Sequence, residues 1–320
     1  MMKICTRLFQ ALVLAACSGS LLQAATPVLW VDCHTHFYDP TRPQGVPWPS
    51  KGTALYRPVL PKDLRAQPMA QGLAGTVIVE ASAWTEDNQW LLDLAKDDPF
   101  VLGLIGHLEP EDPSFAQHLR RFARDPRFRG IRVSATAVEK ALRSGRLEPY
   151  HLLAGFDLAL DVNGGPQTPA LVAQLAALLP HLRIVINHVG NVPVTKAGPA
   201  QEWVAGMRAA AAQPAVFCKV SGLVESAANQ AKAAAPRDAA LYQPYLEVVW
   251  QCFGAKRLIY GSNWPVSERG ADYAWLQQLV IDFFQGKGER ALRAFASQNS
   301  VSAYHWQPRL PSQDPLAQAR

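Results

Sequence analysis

Eight short runs rich in valine, isoleucine and leucine recur along this chain, at residues 28–33, 75–80, 101–106, 130–133, 156–161, 183–187, 215–220 and 258–261. Most are continuous apolar runs without alternation, the pattern of strands covered on both faces and hence of a parallel sheet. Between most of them lie longer segments with helical spacing. Thr168-Pro169 sets a capping hydroxyl before a first-turn proline, and Leu171, Leu175, Leu178 and Leu179 form one apolar stripe that Pro180 stops. Residues 114–124, 200–212, 242–253 and 273–284 read as further helices. Eight strands alternating with helices predict an α/β fold, a (β/α)8 TIM-like barrel, with an open doubly wound sheet as the alternative. No glycine-rich phosphate loop follows any strand, which weighs against a nucleotide-binding open sheet.

The chain has 320 residues, 49% of them hydrophobic, enough for one large core. That core is expected over residues 25–307. Ahead of it, Lys3 and Arg7 precede an apolar segment, the pattern of a secretory signal over residues 1–24. The signal implies an exported, periplasmic protein. Two processing routes are open: Leu14-Ala15-Ala16-Cys17 resembles a bacterial lipobox, which would make Cys17 a lipid anchor to the membrane, and ordinary cleavage near Ala24 competes with it. The net charge of +5, of which Lys3 and Arg7 belong to the leader, comes without a basic stripe and does not call for nucleic acid. Cys33, Cys218 and Cys252 form no disulfide framework, and the first two read as small buried hydrophobes. Residues 40–61 form a proline-rich insert after the first strand, placed to overhang a catalytic face. Residues 308–320 read as a poorly ordered tail.

Barrel enzymes carry their chemistry at the carboxyl ends of the strands, and polar residues gather at those positions here. The first strand ends in His34 and His36, the second in Glu80, the third in His107 followed by Glu109. The fourth carries Arg132, the fifth ends in Asp161, the sixth in Asn187-His188, the seventh in Lys219 and Ser221, and the eighth in Ser262-Asn263. His34, His36 and His188 are three imidazoles able to hold one divalent metal, zinc or manganese, and lower the pKa of a bound water. Asp32 is either an acceptor behind a ligand histidine or a structural carboxylate at the rim. Arg132 is either a clamp for a substrate carboxylate or the partner of Glu80 or Asp161.

These residues, in this order, resemble the amidohydrolase superfamily, in its amidohydrolase-related branch of metal-dependent hydrolases that includes sugar-acid and dicarboxylate lactonases. The resemblance rests on Val31-Asp32-Cys33-His34-Thr35-His36, Gly130-Ile131-Arg132, Ile186-Asn187-His188, Cys218-Lys219-Val220-Ser221-Gly222 and Tyr260-Gly261-Ser262-Asn263-Trp264-Pro265. It implies a hydrolase that opens a lactone or cyclic ester of a small polar acid with an activated water. On that reading His188, Glu80 and Asn263 are catalytic, and Arg132, Lys219, Asp161 and His107 bind the small-molecule substrate. Asn263 departs from the pattern, which usually has the aspartate that takes a proton from water. An amide is no general base. Either a metal generates hydroxide without that carboxylate, or Glu80, Glu109 or Asp161 takes over, or the barrel only binds a ligand. Decarboxylation of an unsaturated or aromatic acid is the other enzymatic alternative, and a metal-free site is compatible with lactone opening.

Overall fold

The computed structural model describes residues 27–315. The leader and Cys17 lie outside the described residues. Eight parallel strands follow one another in chain order: β1 (Trp30–Thr35), β2 (Leu73–Val79), β3 (Val101–Gly106), β4 (Phe128–Ser134), β5 (Ala159–Asn163), β6 (Ile184–Ile186), β7 (Val216–Val220) and β8 (Leu258–Tyr260). Helices lie between them. The sheet closes just past the strand ends, where Thr35 pairs with Trp264 in a parallel bridge. There the His36 amide donates to the Trp264 carbonyl at 2.9 Å and the Asn263 amide to the His34 carbonyl at 2.8 Å. This closure sets the ends of β1 and β8 side by side. The expected barrel is therefore the observed one.

Alternate residues of the strands face two cores, as a period of two requires. Val31, Cys33, Val77, Val79, Ile105 and Ile259 fill the barrel interior, which Tyr304 and Trp306 also join from the chain's last turns. Trp30, Ile78, Leu104, Ile131 and Leu160 face outward against the helices. Cys33 and Cys218 are buried free thiols, as expected of small hydrophobes. β1 breaks the alternation once. Its register against β2 runs Asp32 to Thr76 and then Thr35 to Ile78, so β1 carries one extra residue there. Asp32 consequently turns to Tyr273 of the helix Tyr273–Gln285, and does not share a face with His34.

Three local expectations are corrected. The helix expected from Thr168 begins at that residue with Gln167 as its cap, and Thr168 is buried instead of capping. Leu178, assigned to the apolar stripe, is 56% exposed. The fifth strand starts at Ala159, because the preceding helix runs on to Gly155 and leaves Phe156 at its end.

The tail expected to be poorly ordered from residue 308 is docked as far as Pro315. Gln313 is buried and donates to the carbonyls of Ala74 and Pro99, both at 2.9 Å. The Arg309 guanidinium caps the carbonyls of Ala95, Asp98 and Val101. Polar residues hold this segment because they satisfy backbone carbonyls at the foot of the barrel. Residues 316–320 lie outside the described residues. The proline-rich insert is pinned by a bridge between Tyr38 and Val59 and by an Arg42–Asp87 ion pair at 3.0 Å.

Candidate active site

At the carboxyl ends of the strands lies a cavity of about 440 Å³. His36, His188, Arg132, Asn163 and Asn263 line it, with Glu225 on one side and Trp48 of the insert on another. The insert therefore shapes the pocket, as its position suggested.

Each histidine is held by a specific local device. His188 has a left-handed backbone, φ +54°, inside the tight turn Asn187–Gly190 that follows β6, a conformation uncommon outside glycine. Its Nδ1 lies 2.9 Å from Ser221 Oγ. Gly222, itself at φ +73°, lets it approach, since a Cβ there would come within 2.6 Å of the His188 Cβ. Gly261 likewise leaves room for His34, whose Cβ lies 2.8 Å from where a side chain would begin. The ring of His34 packs 4.3 Å from that of His188 and 5.0 Å from that of His36, centre to centre. Burial pushes the His34 and His188 imidazoles well below their ordinary range, and His36 down to about 3. All three are neutral at pH 7.

His36 spends both nitrogens within the protein. Nδ1 lies 2.9 Å from the Val79 carbonyl and Nε2 lies 3.1 Å from the Asn263 amide. Both partners are carbonyl oxygens, which only accept, so the neutral ring donates its single proton to one of them at a time. Asn263, left-handed at φ +61°, reaches Glu225 Oε1 with its other end at 2.6 Å. Glu225 is the functional group the sequence reading missed. It sits on the helix Leu223–Ala231 that follows β7, 8% exposed, and its Oε2 is buried with no hydrogen-bond partner among the described residues. Burial pushes its carboxyl up to about 7, against the lowering pull of its hydrogen bonds and Arg269.

The expected three-histidine metal site does not assemble in this arrangement. Among the described residues no three His, Cys, Asp or Glu side chains gather so that they could hold an ion. The physical reason is His36, which faces Val79 and Asn263. His34 does keep both ring nitrogens buried and without partners. With His188 it offers two imidazole donors, which is short of the expected set.

The remaining predicted residues separate into layers. Lys219 and Asp161, expected to bind substrate, are both fully buried below the histidines, 2.7 Å apart, and Tyr304 OH donates to Asp161 at 2.9 Å. Neither lines the cavity; a buried pair of this kind must be matched charge to charge, and here each is the other's partner. Asp161 is thus no candidate base. Arg132 makes the ion pair weighed as its alternative: Nε lies 2.8 Å from Glu80 Oε1 and Nη2 donates to the Glu80 carbonyl at 2.7 Å. It still borders the cavity. Glu80 is committed to that pair and is not a free base, while His107 and Glu109 line a neighbouring hollow with Glu80. Asp32 takes the structural alternative, accepting from the amides of His34 and Ser262 and from Tyr273 OH at 2.8–3.1 Å.

A closed parallel barrel with neutral imidazoles, a protonatable carboxyl and an arginine around one polar cavity defines a hydrolytic barrel enzyme. The chain belongs to the amidohydrolase family, whose model matches residues 31–306. It is 35% identical over 272 residues to an L-fucono-1,5-lactonase of Burkholderia ambifaria, covering 82% of this chain and 91% of that protein. It is 29% identical to an L-fucono-1,5-lactonase of Burkholderia multivorans, covering 83% and 92%. A crystal structure of an amidohydrolase from Burkholderia multivorans with bound zinc superposes with a TM-score of 0.78 at 25% identity, covering 87% of this chain and all of that one.

Proposed function

We propose that this protein opens the lactone of a small polyhydroxylated acid by addition of water. The observation that carries the reading is the cavity itself, whose volume suits a single sugar-sized ring and whose walls set Arg132, Asn163, His188 and Asn263 around one aromatic face, Trp48. Polar donors and acceptors on several sides with one flat apolar wall suit a ring that carries hydroxyls. The lactonase relatives support the same chemistry. In the reaction water adds to the ring carbonyl, and the oxyanion formed is stabilised by preorganised donors facing it. Arg132 and Arg269 are cations on the cavity wall; Arg132, fixed in place by Glu80, supplies that charge. The ring C–O bond then breaks and releases the hydroxy acid. The three histidines do not offer three free nitrogens to one ion, because His36 spends both of its own on Val79 and Asn263. The zinc-bound relative makes metal analysis informative, and His34 and His188 are the residues whose loss would alter binding of zinc or manganese.

The test is turnover above the spontaneous rate for a panel of aldonic 1,5-lactones, L-fucono-1,5-lactone included, alongside muconate-type lactones and a carbon dioxide assay for decarboxylation. Sugar-acid lactones are expected to be opened, with turnover lost in the His188→Ala variant. Absence of turnover across the sugar-acid panel would sink the reading. The leader supports export to the periplasm, and mass spectrometry of the mature amino terminus distinguishes lipidation at Cys17 from cleavage after Ala24.

A further inference from the structure

The structure assigns Glu225 as the acid–base group of this site: a carboxyl on the helix after β7 standing where its reach into the cavity replaces the carboxylate absent at Asn263. This inference rests on the lactone-opening reading for its chemistry but on geometry for its identity. Asp161 is sealed under the histidines with Lys219, Glu80 is paired with Arg132, Glu109 is exposed on the neighbouring hollow, and Asp32 is saturated by three donors. Of these carboxyl residues only Glu225 lines the cavity, and its buried Oε2 has no hydrogen-bond partner among the described residues. Its other oxygen is held at 2.6 Å by Asn263, which His36 orients in turn.

The amide at 263 is what couples the carboxyl to the cavity wall. The Asn263 NH2 donates to Glu225 Oε1 at 2.6 Å and its amide oxygen lies 3.1 Å from His36 Nε2, so the amide ties the carboxyl to the histidine. The amide NH2 makes that hydrogen bond to Oε1 both when Glu225 is ionised and when it carries a proton on Oε2. Asn263 and His36 are positioning residues, and Glu225 moves the proton. In the forward step Glu225 as carboxylate takes a proton from water while the water oxygen bonds to the lactone carbonyl carbon. On collapse the C–O bond to the ring oxygen breaks and Glu225 returns the proton to the departing alkoxide. Atoms balance as lactone plus water to hydroxy acid. The groups facing Glu225 are Asn263, Arg269 beyond β8, Tyr242 on the helix Ala239–Phe253 and Lys232 at the end of its own helix. Arg269 pulls the carboxyl down, and burial outweighs it.

The experiment has two arms. In the first, kcat/KM for an aldonic 1,5-lactone is followed against pH in the wild type, Glu225→Gln and Glu225→Asp. The wild type is expected to lose activity as pH falls through about 7. Glu225→Gln should lose about 10²- to 10⁴-fold and with it the acid limb, and Glu225→Asp should recover part of the rate. A Gln variant with wild-type kcat/KM overturns the inference. In the second arm the carboxyl is titrated directly by carbon-13 NMR of glutamate-labelled protein, assigned by loss of the signal in Glu225→Gln. A midpoint near 7 is expected, and one in the usual glutamate range near about 4.3 overturns the inference. If the wild type opens no lactone, the functional reading fails and the second arm alone decides whether Glu225 is the site's acid–base group.

Discussion

Asn263 touches His36 at one end of its amide and Glu225 at the other, so a single substitution there changes a proton inventory. Asn263→Asp would place two carboxyls within hydrogen-bond distance, where like charges leave one proton shared between them and one pKa strongly raised. The acid limb of the pH–rate profile is therefore expected to move to higher pH by about one unit or more, and an unchanged profile would refute the coupling of the two groups. At this scale the histidines and Asn263 were legible because each ends or follows a strand. Glu225 was not. A carboxylate in the first turn of a helix is what the helix dipole favours on any surface, and only the packing of that helix against the turn Val266–Arg269 after β8 brings it to the cavity. Lys219 and Asp161 misled for the converse reason, since both sit on the inward face of the barrel a layer too deep to meet a ligand.

Elements decide how firmly the site is held. The turn after β6 and the start of the helix after β7 press together at His188 and Gly222, with no space for a methyl group. Gly222→Ala adds both a left-handed alanine and a 2.6 Å contact. It is expected to destabilise the fold by about 1–3 kcal/mol and to lower kcat/KM by displacing His188. Thermal unfolding and steady-state kinetics check both effects, and a variant with wild-type values in each would show that the turn tolerates movement. The strands were readable as elements because two-sided burial demands uninterrupted apolar residues. Their ends were less so: β5 lost its first three expected residues to the preceding helix, and β1 gained a bulge that separates Asp32 from His34. A bulge leaves no mark in residue composition, since the same residues pair either way until the partner strand is in place.

For the whole molecule, buried ionisable groups make stability depend on pH in two opposed ways. The imidazoles of His34, His36 and His188 are depressed in the fold, so the unfolded chain takes up protons first as pH falls below about 6.5. Stability is expected to decline from there downward. Glu225 is raised to about 7, so the folded state holds that proton longer than the unfolded one. Its contribution is complete below about 4.5 and is lost as pH rises to 7. Glu225→Gln should consequently be more stable than the wild type at pH 8, by about 1–3 kcal/mol, and close to it at pH 5. Denaturant midpoints at the two pH values measure this, and equal differences at both would contradict it. What the sequence determined by itself is the barrel, the order of its strands and the ring of polar residues at their ends. These follow from local burial patterns along the chain. Only the tertiary structure decided which of those residues meet: closure of β1 on β8 sets His36 against Asn263, and the helix after β7 brings in Glu225. Side-chain proximity across the barrel depends on strand stagger and helix packing, and neither is written in any single segment.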